Sequence, residues 1–117
     1  NGTITLAASG DIVGTTTMAD VADVLNLHNT AIGIVAGTGT INSGQDLTTG
    51  AAITGTTLNV DDNTLTLGAA VTAATVVDDG ATLVTAGNTV TGAVTNNGTI
   101  TLATGGDIVG TTTMGAS

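Results

Sequence analysis

Short runs in which apolar and polar residues alternate recur along the whole chain. Examples are Thr3-Ile4-Thr5-Leu6, Thr57-Leu58-Asn59-Val60, Thr64-Leu65-Thr66-Leu67, Thr89-Val90-Thr91 and Thr99-Ile100-Thr101-Leu102. Side chains of a strand point alternately to its two faces, so this pattern predicts strands with one buried face. Thr and Val, which dominate these runs, suit a pleated and half-buried surface. Between the runs stand polar corners: Ser43-Gly44-Gln45-Asp46, Asp61-Asp62-Asn63, Asp78-Asp79-Gly80 and Asn96-Asn97-Gly98. These residue types tolerate the left-handed backbone that tight corners require.

The corners are spaced by 17 or 18 residues, and strand centres fall every six or seven. Such spacing predicts about three short strands per turn, in an all-β, parallel β-solenoid with coils of roughly 17–20 residues stacked about 4.8 Å apart. Leu65, Leu83 and Ile100 are then expected to lie above one another. One stretch does not follow the pattern. Met18–His28 places Val21, Val24, Leu25 and His28 on one helical face, with Thr17 as an N-cap. It also reads as a strand through Val24, Leu25 and Leu27. A short helix or an insertion is therefore expected near residues 18–28.

A longer repeat overlies the short one. Asn1–Met18 and Asn97–Met114 are identical at sixteen of eighteen positions, 96 residues apart. Residues 1–96 thus read as one long repeat and 97–117 as the start of the next copy. Because 96 is not a multiple of eighteen, one coil is expected to carry the insertion. An export signal is expected upstream of Asn1, since the chain opens inside a strand motif.

Composition narrows the function. The chain of 117 residues holds 28 Thr and 18 Gly but no Lys, Arg, Glu, Phe, Tyr, Trp, Pro or Cys. With 41% hydrophobic residues it is too apolar for a disordered chain. Without aromatic rings, its core must be thin and built from small aliphatics. All nine charges are Asp, for a net charge of −9. Direct binding to nucleic acid or to an anionic membrane needs cations that are missing here. No apolar run is long enough to span a bilayer. With no Lys, Arg or aromatic residue, trypsin-like and chymotrypsin-like proteases find no preferred cleavage residue.

Candidate chemistry is sparse, and no catalytic residue is expected. His28 is the only imidazole, and Ser9, Ser43 and Ser117 lack any nucleophile signature. Zinc would need further His or Cys. Asp61, Asp62, Asp78 and Asp79 stand one coil apart, so stacking brings carboxylates together with no basic side chain to neutralise them. An oxygen-rich corner of this kind suits weak Ca²⁺ binding. Thr-x-Thr pairs at Thr3/Thr5, Thr64/Thr66, Thr89/Thr91 and Thr99/Thr101 could order water, although exposed strand positions favour Thr in any case. Gly37-Thr38-Gly39 lacks the context of a phosphate loop and reads as a turn.

The runs NGTITL, TLTLG, TTGAAITG and TVTGAVTNNGTIT resemble the strand-repeat passenger regions of bacterial surface proteins such as autotransporter adhesins. That resemblance covers most of the chain and implies a β-helix projecting from a cell, with a structural or adhesive role. It implies an extracellular location. Expected partners are neighbouring repeats or copies of itself, end to end or laterally, and a host or surface ligand. A self-assembling, amyloid-like or end-to-end stacked fibre subunit is the alternative.

Overall fold

A computed structural model describes residues 1–28 and 32–116 of the chain. Among them are fifteen short strands and no helix. Every strand pairing is parallel, as required of a chain that coils in one direction. The coils have three sides, and about six turns are stacked within principal dimensions of 31 × 26 × 26 Å.

The first side stacks β2 (Thr16–Met18), β4 (Val35–Gly37), the opening of β7 (Ile53–Val60), the opening of β9 (Val71–Val77), β11 (Val90–Thr91) and β14 (Ile108–Val109). The second side stacks β1 (Thr3–Thr5), β3 (Val24–Leu27), β5 (Thr40–Ser43), the later halves of β7 and β9, β12 (Val94–Asn96) and β15 (Thr112–Met114). The third is a separate four-stranded sheet of β6 (Leu47–Thr48), β8 (Thr64–Thr66), β10 (Thr82–Val84) and β13 (Thr99–Thr101). An isolated parallel bridge between Ile12 and Ile32 takes the third side's place in the first two coils.

The core is a set of aliphatic columns. On the third side Leu47, Leu65, Leu83 and Ile100 are in register, as the spacing predicts. The second side contributes Ile4, Leu25, Ile41, Leu58, Thr75 and Val94. The first contributes Thr16, Val35, Ile53, Val71, Val90 and Ile108. Most of the middle members are completely buried. Burying each such side chain contributes about 1.5–3 kcal/mol, and three facing columns fill the tube without any ring.

The helical reading of Met18–His28 is corrected. Met18 ends β2, Ala19–Asp23 form a turn, and β3 follows. Leu25 and Leu27 are buried at a spacing of two, whereas Val21 is 68% exposed, the reverse of one apolar helical face. The two aspartates decide the contest. Asp20 accepts the Ala22 N–H (2.8 Å), and Asp23 accepts those of Asp20 (3.1 Å) and Gly2 (2.7 Å). Aspartates that bind nearby backbone N–H groups favour turns over helix. The turn is an insertion of the expected kind, because the next coil makes the same connection with Thr38 and Gly39 alone.

That insertion does not explain the 96-residue spacing. The first coil spans 21 residues (Thr3 to Val24), but the next spans only 16 (Val24 to Thr40). The reason lies in the sides. Thr3–Thr5 belong to the second side, and their copies Thr99–Thr101 to the third. Thr16–Met18 belong to the first side, and their copies Thr112–Met114 to the second. The repeat therefore spans sixteen sides averaging six residues, or five and one-third coils. Each copy starts one side further round.

Candidate functional site

Asp61 and Asp78 follow β7 and β9 at the corner between the second and third sides. Their backbone N–H groups bond to Ser43 and Val60 in the coils below, at 3.0 Å each, which stacks the two residues. Burial raises the pKa of Asp61, and a hydrogen bond to the Asp78 carboxyl and the charges of Asp78 and Asp62 raise it further. Two carboxyl groups held this close disfavour ionising together. Asp62 and Asp79 instead point outward and are exposed, Asp62 with a left-handed backbone (φ 46°). Of the four candidate ligands, then, the fold pairs Asp61 with Asp78. Among the described residues, no three acidic or imidazole groups come together around a point that could hold a metal ion.

The remaining candidates are dispersed. His28 follows β3, half-buried. Ser43 is fully buried and accepts a hydrogen bond from the Asn63 side chain (3.2 Å), so it is a core hydroxyl. Ser9 occupies a left-handed corner (φ 68°), and Ser117 lies outside the described residues. Gly37-Thr38-Gly39 is a turn whose glycines are needed for close approach. A Cβ on Gly37 (φ 126°) would stand 1.8 Å from the carbonyl oxygen of Met18.

The Thr-x-Thr pairs are divided among the sides. Thr64/Thr66 and Thr99/Thr101 share the third sheet, separated by Thr82 and Val84, while Thr3/Thr5 lies on the second side and Thr89/Thr91 leads into the first. The valine interrupts the outer threonine column. No continuous Thr-x-Thr plane results.

Sequence reasoning missed the most regular polar feature. On the outer face of the second side, Asn59 donates to Asn42 (2.8 Å), Asn42 to Asn26 (2.8 Å) and Asn26 to Thr5 Oγ1 (3.1 Å). Each amide donates upstream, and Asn26 and Asn42 also accept from downstream, a chain of bonds that pins the register of four coils. The signal was there, as three asparagines spaced by 16 and 17 residues, about one coil each. At the next level Val76 replaces the amide and the ladder stops.

The two ends of the stack differ from its middle. A cleft of about 250 Å³ opens at the first coil, between β1, β2 and β3. At the other end Leu102, Val109 and Met114 are more than half exposed. Among the described residues, β13, β14 and β15 each pair on one edge only.

Neither a protein-family model, nor a curated protein, nor a solved structure matches this chain.

Proposed function

We propose that the chain is a structural or adhesive segment of a long extracellular bacterial surface protein or filament, and that it performs no catalysis. The observation carrying this reading is that the second copy of the 96-residue repeat stacks directly on the first by the same parallel register. Thr99–Thr101 lie on β10, and Thr112–Met114 on β12. An array built this way can lengthen without limit, each unit covering the edge of the last. Side chains converge on the core, which suits a rod, and the polar residues spread as ladders along its flanks. A chain that offers common proteases so few cleavage residues suits exposure outside a cell.

Intact source cells stained with antibodies against the chain test this directly. Labelling without permeabilisation is expected, and labelling only after permeabilisation would overturn the extracellular reading. Chains carrying additional 96-residue copies should appear as unbranched rods that lengthen by about 26 Å per copy. A second reading, a self-assembling fibre subunit, is supported by a strand-forming chain with only 8% charged residues and no Pro.

A further inference from the structure

The one-side advance of the repeat is visible on all three sides of the coil. Thr3–Thr5 lie on the second side and Thr99–Thr101 on the third. Ile12 bridges on the third, and Ile108–Val109 pair on the first. Thr16–Met18 lie on the first and Thr112–Met114 on the second. Charge is distributed unevenly around the same three sides. In the middle coils Asp46, Asp61, Asp62, Asp78 and Asp79 all stand at the corner between the second and third sides. The first side lies opposite that corner. Its outer column of Ala36, Thr54, Thr72 and Thr91 is uncharged. The second copy brings a charge to this neutral side. Asp107 precedes Ile108 there, exposed, and its carbonyl accepts the Val90 N–H (2.8 Å), whereas its counterpart Asp11 precedes Ile12 on the third side.

We infer that an array of these repeats is a three-fold screw in which no side stays uncharged for longer than one repeat, and that this keeps it a single filament. Each further copy carries the acid corner one place round, to the corner between the third and first sides and then to that between the first and second. Three copies complete sixteen whole coils and restore the starting side. A repeat of whole coils would behave differently. Its acids would line one corner, and its first side would be a neutral face as long as the rod. Two such rods could pack sheet against sheet, and each added copy would strengthen the contact. With the advance, the neutral face is about 26 Å long and roughly 20 Å wide. That is on the order of 500 Å², short of the about 800 Å² per partner that a stable interface buries. Beyond it, rods laid side by side meet each other's carboxylates, and no basic side chain can pair with them. This inference rests on the reading of the chain as a unit of a continuous solenoid, and adds the symmetry and lateral behaviour of that solenoid.

The test uses the full chain preceded by further copies of residues 1–96, a junction that the chain already contains at Asn96-Asn97. Thr54 is exposed on the first side, so Thr54→Cys in every copy, labelled with gold, marks that side in electron micrographs. Labels are expected to leave a four-copy rod in three directions 120° apart, rising about 26 Å per copy and returning to the first direction after about 77 Å. Labels along a single line would overturn the screw. Lateral behaviour is read by sedimentation velocity on unlabelled chains of two, four and seven copies at one mass concentration and physiological salt. Each should run as a single chain. Side-by-side bundles that grow with copy number would overturn the second half of the inference. If the added copies form no rods, the solenoid reading itself falls, and this inference with it. Rods with aligned labels, or rods that bundle, sink this inference alone. None of these results depends on where the protein resides, so the extracellular reading stands or falls separately.

Discussion

Residues 1–18 and 97–114 are almost the same sequence in two different surroundings. The lower copy is covered from above, where Met18 and Thr16 are buried beneath β4. The upper copy is covered from below, and it is now the glycines that are confined. A Cβ on Gly98 would stand 2.3 Å from the carbonyl oxygen of Asp78, whereas one on Gly2 meets nothing within 4 Å. Gly110 has φ 143° and a Cβ position 2.3 Å from Gly92 O, while its counterpart Gly14 is unobstructed. Together the copies display both edges of one coil. The difference teaches that the shape of a coil is local, while the importance of a residue depends on which neighbour is present.

The comparison breaks most sharply at the methionines. Met18→Ala should cost about 2–4 kcal/mol in chemical denaturation, and Met114→Ala less than about 0.5. Equal costs would mean that the first coil is not packed under β4. Next come the glycines, where the order of the copies reverses. Gly98→Ala should destabilise by about 1–3 kcal/mol through its clash with two backbone oxygens, and Gly2→Ala should stay within about 0.5. If both are silent in thermal melts, the upper copy does not sit on β10 as described.

A smaller effect is expected at the corner where the copies differ. Ser9 holds a left-handed backbone that its counterpart meets with Gly105, so Ser9→Gly should stabilise by up to about 1 kcal/mol. Loss of stability would mean that the Ser9 side chain has a role of its own.

The acid pair separates the middle of the rod from its lower end. Asp61 has a raised folded pKa, chiefly through burial, so its contribution is fully present below the ordinary carboxylate value. That contribution is lost as pH rises through the raised value. Asp61→Asn should therefore flatten this loss and raise the melting temperature near neutrality, by less than about 1 kcal/mol of stability. Asp23 has the opposite sign. Backbone N–H groups, that of Asp20 first and then that of Gly2, lower its pKa, so the first coil should loosen as pH falls through that value. Hydrogen exchange against pH reads the two regions separately.

The coil itself was legible because period-two alternation and Asn, Asp or Gly corners act within a few residues. Leu65, Leu83 and Ile100 stacked where the spacing put them. Of the four acids, the pairing of Asp61 with Asp78 followed from their 17-residue spacing, but which member of each pair turns outward did not. That choice depends on the corner backbone, where Asp62 adopts a positive φ. Met18–His28 was ambiguous because three apolar residues fit either period, and the aspartate-capped turn resolved it. The asparagine ladder escaped notice because asparagine is common in corners, and only register shows that three of them touch.

By itself the sequence determined that this chain coils, how long a side is, and that its core is aliphatic, since those follow from local alternation and residue size. Only the tertiary structure decided that the 96-residue repeat advances by five and one-third coils. The side on which a segment lands is the sum of every corner before it, here a coil of 21 residues followed by one of 16. No local pattern carries that sum, and it settles which of two identical segments is buried and on which edge.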